Sequence, residues 1–231
     1  MKRLVVLIGI SLLSFEGICC TTCNQQLKQK IYDSTFFPNL FTMLSAFIVL
    51  TIIVVLLTYL SNKKHARFLV ANSASVLLNP TPLITAAMIL GIGIGGFIDG
   101  IIFHQILQWH EMISNKIPPI TIDAKSVNMF WDGIFHAFNL IVVITGILLL
   151  WKSSKRKDID KSGNLLIGGL FSGWGLFNIV EGVIDHHLLK LHNVREITGN
   201  IDIWNYGFLF FSVILLIVGY FLTVKKTIKI S

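Results

Sequence analysis

Long runs of apolar residues, separated by short polar segments, make up most of the chain. Five of these runs are about twenty residues long, which is the length that an α-helix needs to cross the hydrocarbon core of a bilayer. The pattern therefore predicts an all-α integral membrane protein. Its expected spanning helices cover residues 39–60, 82–105, 130–151, 164–186 and 204–223.

The N-terminal residues 1–18 have the layout of a secretory signal. Lys2 and Arg3 form a basic segment, and an apolar stretch from Leu4 to Phe15 follows it. That stretch is short for a spanning helix. We expect either a cleaved signal peptide or an uncleaved signal anchor, followed by an extracytoplasmic segment over residues 19–38.

Composition excludes several other classes of protein. Hydrophobic residues make up 54% of the chain and charged residues 13%, whereas soluble domains carry about a quarter charged residues. This excludes an ordinary cytoplasmic protein and a disordered tail. The net charge of +7 comes from short basic clusters between apolar runs, so it does not form the basic face of a nucleic-acid-binding domain.

The basic clusters predict the orientation in the membrane, because loops rich in Lys and Arg stay on the cytoplasmic side. Most of the basic residues lie in the segments 1–3, 61–67, 152–161 and 225–231. We therefore expect cytoplasmic loops over 61–81 and 152–163 and a cytoplasmic tail over 224–231. The loops 106–129 and 187–203 are then outside, and the expected location is a bacterial inner (plasma) membrane.

Two parts of the chain resemble each other. Residues 99–110 align with residues 181–192 at an offset of 82, and the helices that follow align at an offset of 73. The alignment predicts two tandem parallel helix hairpins, residues 82–151 and 164–223, which form a four-helix bundle with helix 39–60 outside it.

Glycines recur at helical spacing within the predicted spans. The pairs Gly91/Gly95, Gly96/Gly100 and Gly169/Gly173 match small-xxx-small faces, which allow helices to approach closely in lipid. Gly91-x-Gly93-x-x-Gly96 also matches a dinucleotide-binding pattern. No strand precedes it and it lies inside an apolar span, so we assign these glycines a structural role.

Acidic and histidine side chains gather near the predicted outer helix ends, where ionisable residues usually mark a functional site. They are Asp99, His104, His110, Asp132, His136, Glu181, Asp185, His186, His187 and His192. At about 1.5 Å of rise per residue, His110 and His192 are expected roughly 9 Å above the layer that contains His104 and His186.

Imidazole and carboxylate groups together suit copper, iron or zinc. The ten residues would over-supply one tetrahedral site, so two metal ions fit, as does one ion with carboxylates that orient the histidines. A haem between His104 and His186 is an alternative. A purely structural network of hydrogen bonds is another. No residue is assigned a catalytic role by a recognisable motif.

All three cysteines lie in the segment Cys19-Cys20-Thr-Thr-Cys23, which is expected outside. Cys20 and Cys23 are candidates for a redox pair, a soft-metal site or a simple disulfide. The alternative is that Cys19 or Cys20 belongs to the signal or carries a lipid.

Three long motifs occur in order along the chain: GFIDGIIFHQILQWH, WDGIFHAFNL and GWGLFNIVEGVIDHHLLKLHNVRE. On these motifs the chain resembles the uncharacterised bacterial integral-membrane family "domain of unknown function 2243" over about residues 82–223. The resemblance implies a four-helix membrane protein and no particular reaction. It carries over the ten residues named above and adds Glu196.

The leading hypothesis is a metal-binding inner-membrane protein with a site open to the outside, in copper or iron handling or in support of a respiratory enzyme. Its expected partners are the lipid bilayer and a respiratory or other membrane protein. The alternatives are a bis-histidine haem protein that transfers electrons, a metalloenzyme that acts on lipid with Asp99 or Glu181 as general base, and a structural or partner-binding bundle. Whether the protein is an enzyme is left open.

Overall fold

The computed structural model describes residues 25–71 and 78–224. The predicted signal over residues 1–18 and the pair Cys20 and Cys23 lie outside these ranges, so both stay predictions.

Helices make up 78% of the described residues, which include no β-strand. The α-helices are α1 (Gln25–Ile31), α2 (Phe36–Ala71), α3 (Thr81–Ile98), α4 (Ile122–Ser154), α5 (Gly163–Glu181) and α6 (Ile201–Val224). Two π-helices, π1 (Asp99–Ile106) and π2 (Gly182–Leu188), continue α3 and α5. Five helices, α2 to α6 with their π extensions, are long and apolar enough to cross a membrane. The prediction of an all-α protein with five apolar spans is confirmed.

The helices extend beyond the predicted spans. Residues 61–71, which we predicted as part of a cytoplasmic loop, continue α2 to Ala71. The segment is polar but contains residues with good helix propensity, and a helix does not have to stop where the apolar run stops. Helix α4 begins at Ile122 instead of residue 130, because the Thr121 side chain accepts a hydrogen bond from Ala124 N at 3.2 Å and caps the helix there.

The centre of the bundle is a close crossing of α3 and α5. Gly91 lies directly against the Leu170 carbonyl, and Gly173 lies against the Met88 carbonyl. A Cβ atom at either glycine would overlap that backbone, so the two helices can approach this closely only without side chains at these positions. Helix α4 packs on α3, and α6 packs on α5.

Helix α2 packs firmly on this core. Its residues Met43, Ala46 and Leu50 are buried in one cluster with residues of α3, α4 and α5. The Thr58 and Thr85 hydroxyls, 3.0 Å apart, add a polar contact between α2 and α3. The outer faces of the helices remain apolar and exposed, as expected of surfaces that contact lipid.

We expect Gly91→Val and Gly173→Val to lower the free energy of unfolding by about 1–3 kcal/mol each, because a side chain at the crossing must displace backbone atoms. Gly133→Ala is the matched control. No atom lies within 4 Å of a Cβ built there, so this change should stabilise the helix by about 0.5–1 kcal/mol. Unfolding midpoints of the three variants in one detergent would test this, and equal midpoints would contradict it.

Candidate metal centre

The ends of α3 and α5 turn back on themselves in the same way. After π1, Trp109 N donates to Phe103 O at 2.9 Å, and Gln108 adopts a left-handed φ of 50°. After π2, Leu191 N donates to a backbone oxygen at 2.7 Å, and Lys190 adopts a φ of 49°. Left-handed backbone is uncommon for residues other than glycine and marks a sharp change of direction. The chain therefore folds over each helix end instead of continuing outwards.

This turn corrects the predicted layering of the histidines. The ring of His110 lies 4.3 Å from the ring of His104, centroid to centroid, and His192 lies 4.8 Å from His186. The expected separation of about 9 Å, based on straight-helix rise, is therefore wrong. The rings of His110 and His192 stack at 4.6 Å and 1° between planes, so four imidazoles form one contiguous cluster.

The two outer loops hold each other's histidine. His110 Nδ1 donates to Val194 O at 2.8 Å, and His192 Nδ1 donates to Met112 O at 3.0 Å. A carbonyl oxygen can only accept, so Nδ1 carries a hydrogen in both rings. In the neutral form of each ring, Nε2 then presents a lone pair to the interior of the cluster. This arrangement is the one that backbone carbonyls impose on metal-binding histidines.

His104 lies between two carboxylates. Its Nε2 is 3.0 Å from Asp99 Oδ2, and its Nδ1 is 2.9 Å from Asp132 Oδ1. A neutral imidazole has one N–H group, so it can donate to only one of two ionised carboxylates. Each additional contact between a ring nitrogen and a carboxylate oxygen requires a proton or another cation.

In the second half of the site the arrangement is reversed, because a carboxylate, Glu181, lies between two imidazoles. Its Oε1 lies 2.8 Å from His186 Nε2 and 3.0 Å from His192 Nε2. The contact with His192 Nε2 is a hydrogen bond. The contact with His186 Nε2 is close but does not have the geometry of a hydrogen bond. Glu181 Oε2 and Asp185 Oδ1 are buried without a hydrogen-bond partner in the described part of the chain, as are His110 Nε2 and both ring nitrogens of His186.

Two overlapping groups of these side chains have the geometry to hold a metal ion. One contains His104, His110 and His192, and the other contains Glu181, His186 and His192. Within each group the ligand atoms lie within 4.8 Å of one another, and every member is buried. His192 belongs to both groups. The structure therefore brings together four histidines and Glu181 from the ends of α3 and α5 and the loops that follow them.

Two of the ten predicted residues lie outside this histidine cluster. His136 stacks on Phe97 with the ring centroids 5.9 Å apart, and the His187 ring is tilted against that of Tyr206 with the centroids 5.3 Å apart. Both are only partly buried. Four of the six predicted histidines thus share one centre, which neither helical spacing nor depth along a straight helix could establish.

Sequence reasoning missed the groups that anchor the loops. Met112 N donates to Asp132 Oδ1 at 2.9 Å, and Val194 N donates to Asn205 Oδ1 at 3.0 Å. Positions 112 and 194 differ by 82, and positions 132 and 205 differ by 73, which are the two offsets of the alignment. Because both offsets are visible in the sequence, they could have identified Met112 and Val194 as equivalent loop positions. Glu196, which the resemblance added, accepts a hydrogen bond from Ser114 Oγ across the two loops.

The loops also close the outer end of the site. Arg195 lies over the rings of Trp109 and Trp204, at 5.2 and 4.9 Å from their centroids. Asn115 N donates to Leu191 O at 2.9 Å and joins the first loop to the second. These contacts hold the two loops together over the histidines beneath, which are buried.

Electrostatics distinguishes the two loop histidines. Burial, together with His104 and its neighbours, holds the pKa of His110 well below its ordinary value, which leaves a free lone pair on Nε2 at neutral pH. Burial opposes charge on His192 most strongly, but the hydrogen bond to Glu181 and the negative charges of Glu181 and Asp185 together outweigh it and raise the pKa of His192. The two loop histidines therefore differ: their surroundings favour the neutral form of His110, whereas the Glu181 carboxylate favours the protonated form of His192.

We expect Asp132→Leu to destabilise the protein by about 1–3 kcal/mol, because it leaves the buried Met112 N–H without an acceptor. Asp132→Asn is the matched control, because Asn205 already accepts from Val194 N through an amide oxygen. Thermal unfolding of both variants in detergent would test the loop anchor. Equal destabilisation by Leu and Asn would contradict it.

Comparison with known proteins identifies the family. No curated protein and no solved structure is significantly similar to the chain. The family described as "Predicted membrane protein (DUF2243)" matches residues 86–226, which is more than half of the chain and includes all ten predicted site residues. The chain, with its apolar spans and the histidines and acids buried between them, belongs to this family of membrane proteins, domain of unknown function 2243.

Proposed function

We propose that this protein is a membrane metalloprotein, and that His104, His110, His186, His192 and Glu181 bind one or two transition-metal ions. The observation that carries the proposal is the excess of unpartnered acceptors in a buried place. Ring nitrogens and carboxylate oxygens face each other with too few hydrogens between them. A bound cation supplies the missing positive charge.

The energetic argument concerns the acids. Asp99, Asp132, Glu181 and Asp185 are all buried at the ends of the spans. An unpaired carboxylate there costs several kcal/mol, by order of magnitude, unless a proton or a cation neutralises it. Protons on the imidazoles are one solution. Metal ions are a better solution at His110 and His192. In each ring a backbone carbonyl holds the hydrogen on Nδ1, which leaves Nε2 as the atom that can bind a metal.

The donor set narrows the choice of metal. Imidazole nitrogen with carboxylate oxygen suits zinc, copper and iron, whereas calcium and magnesium prefer oxygen donors alone. Copper or iron handling, or support of a respiratory enzyme, is the specific role we propose. Copper would also use Cys20 and Cys23, if these thiols lie on the same side of the membrane.

The positions of the basic segments support an outward-facing site in a bacterial inner membrane. The cluster is at the helix ends joined by residues 107–121 and 189–200. In the described part of the chain, eight of the fourteen Lys and Arg residues are in segments 61–67 and 152–161, at the opposite helix ends. A metal bound there would lie at the extracytoplasmic end of the spans, beneath the two outer loops.

Full-length protein purified from cells grown with copper, iron and zinc should contain about one or two metal ions per chain by elemental analysis. His192→Gln should lower this content at least about tenfold, because His192 contributes to both groups. His187→Gln is the matched control and should keep the metal, since the His187 ring packs against Tyr206 and belongs to neither group. Gel filtration of each variant separates metal loss from misfolding.

Other results of that experiment would favour the alternatives. A Soret band in the absorption spectrum would favour haem over a metal ion bound by side chains. Wild-type protein that stays free of metal after incubation with each of the three ions would overturn the proposal and leave a structural network. Copper content that falls in Cys20→Ser/Cys23→Ser would connect the thiols to the site, and unchanged content would remove them from it.

The orientation has its own test. In a variant without the three native cysteines, Ile120→Cys should react with a membrane-impermeant maleimide in intact bacterial cells, because residue 120 is exposed in the loop over the site. Lys157→Cys, exposed on the opposite loop, should react only after the cells are lysed. The reverse labelling pattern would contradict the proposed orientation.

A further inference from the structure

A cavity of about 270 Å³ lies beside the metal centre, between α3, α5 and α6. Trp174, Phe208 and Phe211 form its aromatic wall, and Gly95 and Ile98 form the wall on α3. Phe211 is also 43% exposed on the outer face of α6, so the cavity reaches the apolar surface of the bundle. A molecule would enter it from the bilayer rather than from water.

Helix α2 covers the place that corresponds to this cavity on the other side of the bundle. The alignment of the two hairpins pairs Phe208 and Phe211 with Phe135 and Phe138 at an offset of 73. On that other side, Phe47 of α2 packs on Phe135 at 5.9 Å and on Phe138 at 5.8 Å.

The cavity walls on α3 and α5 also have aligned counterparts on the side that α2 covers. Ile98 and Trp174 are paired with Val180 and Ile92 at an offset of 82, and Val180 and Ile92 share a buried cluster with Met43 of α2. One groove is thus covered by α2. In the described part of the chain no helix covers the other, which contains the cavity.

Two polar side chains lie at the inner end of this otherwise apolar cavity. Asp99 and Asn178 line it and are 3% and 2% exposed. Asp99 Oδ2 contacts His104 at 3.0 Å, and its Oδ1 lies 4.0 Å from His110. The Asn178 side chain makes no hydrogen bond with another described residue. A buried amide without a partner is costly, so this end is suited to a ligand with a hydrogen-bonding group.

We infer that the cavity binds a lipid-soluble molecule in which an apolar aromatic ring carries a hydroxyl group. Aromatic walls favour a ring by stacking and edge-to-face contact. The Asp99 carboxylate and the Asn178 amide oxygen accept hydrogen bonds, so the polar end of the ligand should be a donor. The inference deepens the proposed function, because the hydroxyl would then lie against the metal centre through Asp99.

The test uses 1-naphthol as probe and 1-methylnaphthalene as its analogue without a hydroxyl group. Both would be titrated, radiolabelled, into the full-length protein in nanodiscs, with empty nanodiscs as background. We expect saturable binding of about one 1-naphthol per chain. The analogue should bind about tenfold more weakly, because it leaves the polar groups at the inner end without a partner.

Two variants of the cavity and one matched control locate the binding. Ile98→Phe should fill the cavity, and Asn178→Leu should remove its polar amide at similar volume. Both should weaken 1-naphthol binding at least about tenfold, which is a loss of about 1.4 kcal/mol. Asn139→Leu removes another fully buried amide, on α4 and away from the cavity lining, so it should bind as the wild type does.

Binding that never saturates above empty nanodiscs, or that is equal in all variants, would overturn the inference. A cross-link from p-benzoylphenylalanine at position 211 to a second polypeptide would also overturn it, because a protein helix would then fill the groove. Metal content is measured on the same preparations. If the protein contains no metal but still binds the probe, the proposed function fails and the cavity assignment stands. If the protein contains its metal but does not bind the probe, the cavity assignment fails and the proposed function stands.

Discussion

Four imidazoles and four carboxylates meet inside an apolar helix bundle, where water cannot solvate either kind of group. His104 and Glu181 show the consequence most directly, because each lies within 3.0 Å of two groups of the opposite kind. In such a medium every charge needs a partner, and a shortage of hydrogens must be met by a cation. The rest of the structure can be understood as the means of holding these groups together.

Three features of the backbone do so. The α3–α5 crossing, with glycines against opposing carbonyls, brings the two acidic helix ends side by side. The π-helices and the left-handed residues Gln108 and Lys190 turn each loop back over its own helix end. The carbonyls of Met112 and Val194 then fix the histidine of the opposite loop. A strained or uncommon backbone at such a place is typical of functional sites.

Helix α2 makes the two sides of the bundle different. It covers the surface formed by Phe135 and Phe138 and leaves the corresponding surface of Phe208 and Phe211 with a cavity. The proposed metal centre therefore has two different boundaries, closed loops on its outer side and an apolar passage from the bilayer on the other. This combination favours chemistry or transfer that involves a lipid-soluble partner over exchange with water.

The sequence by itself determined the five apolar spans, the family and the set of ionisable residues near the helix ends. Hydropathy and ionisable residue types are local properties, so they can be read without contacts. Only the tertiary structure decided which histidines share a centre. His110 and His192 join His104 and His186, whereas His136 and His187 face other rings, because a left-handed turn and carbonyls about 80 residues away in the chain set those directions. It also decided that α2 covers one groove and not the other, since that choice depends on packing between helices and not on the pattern within any one of them.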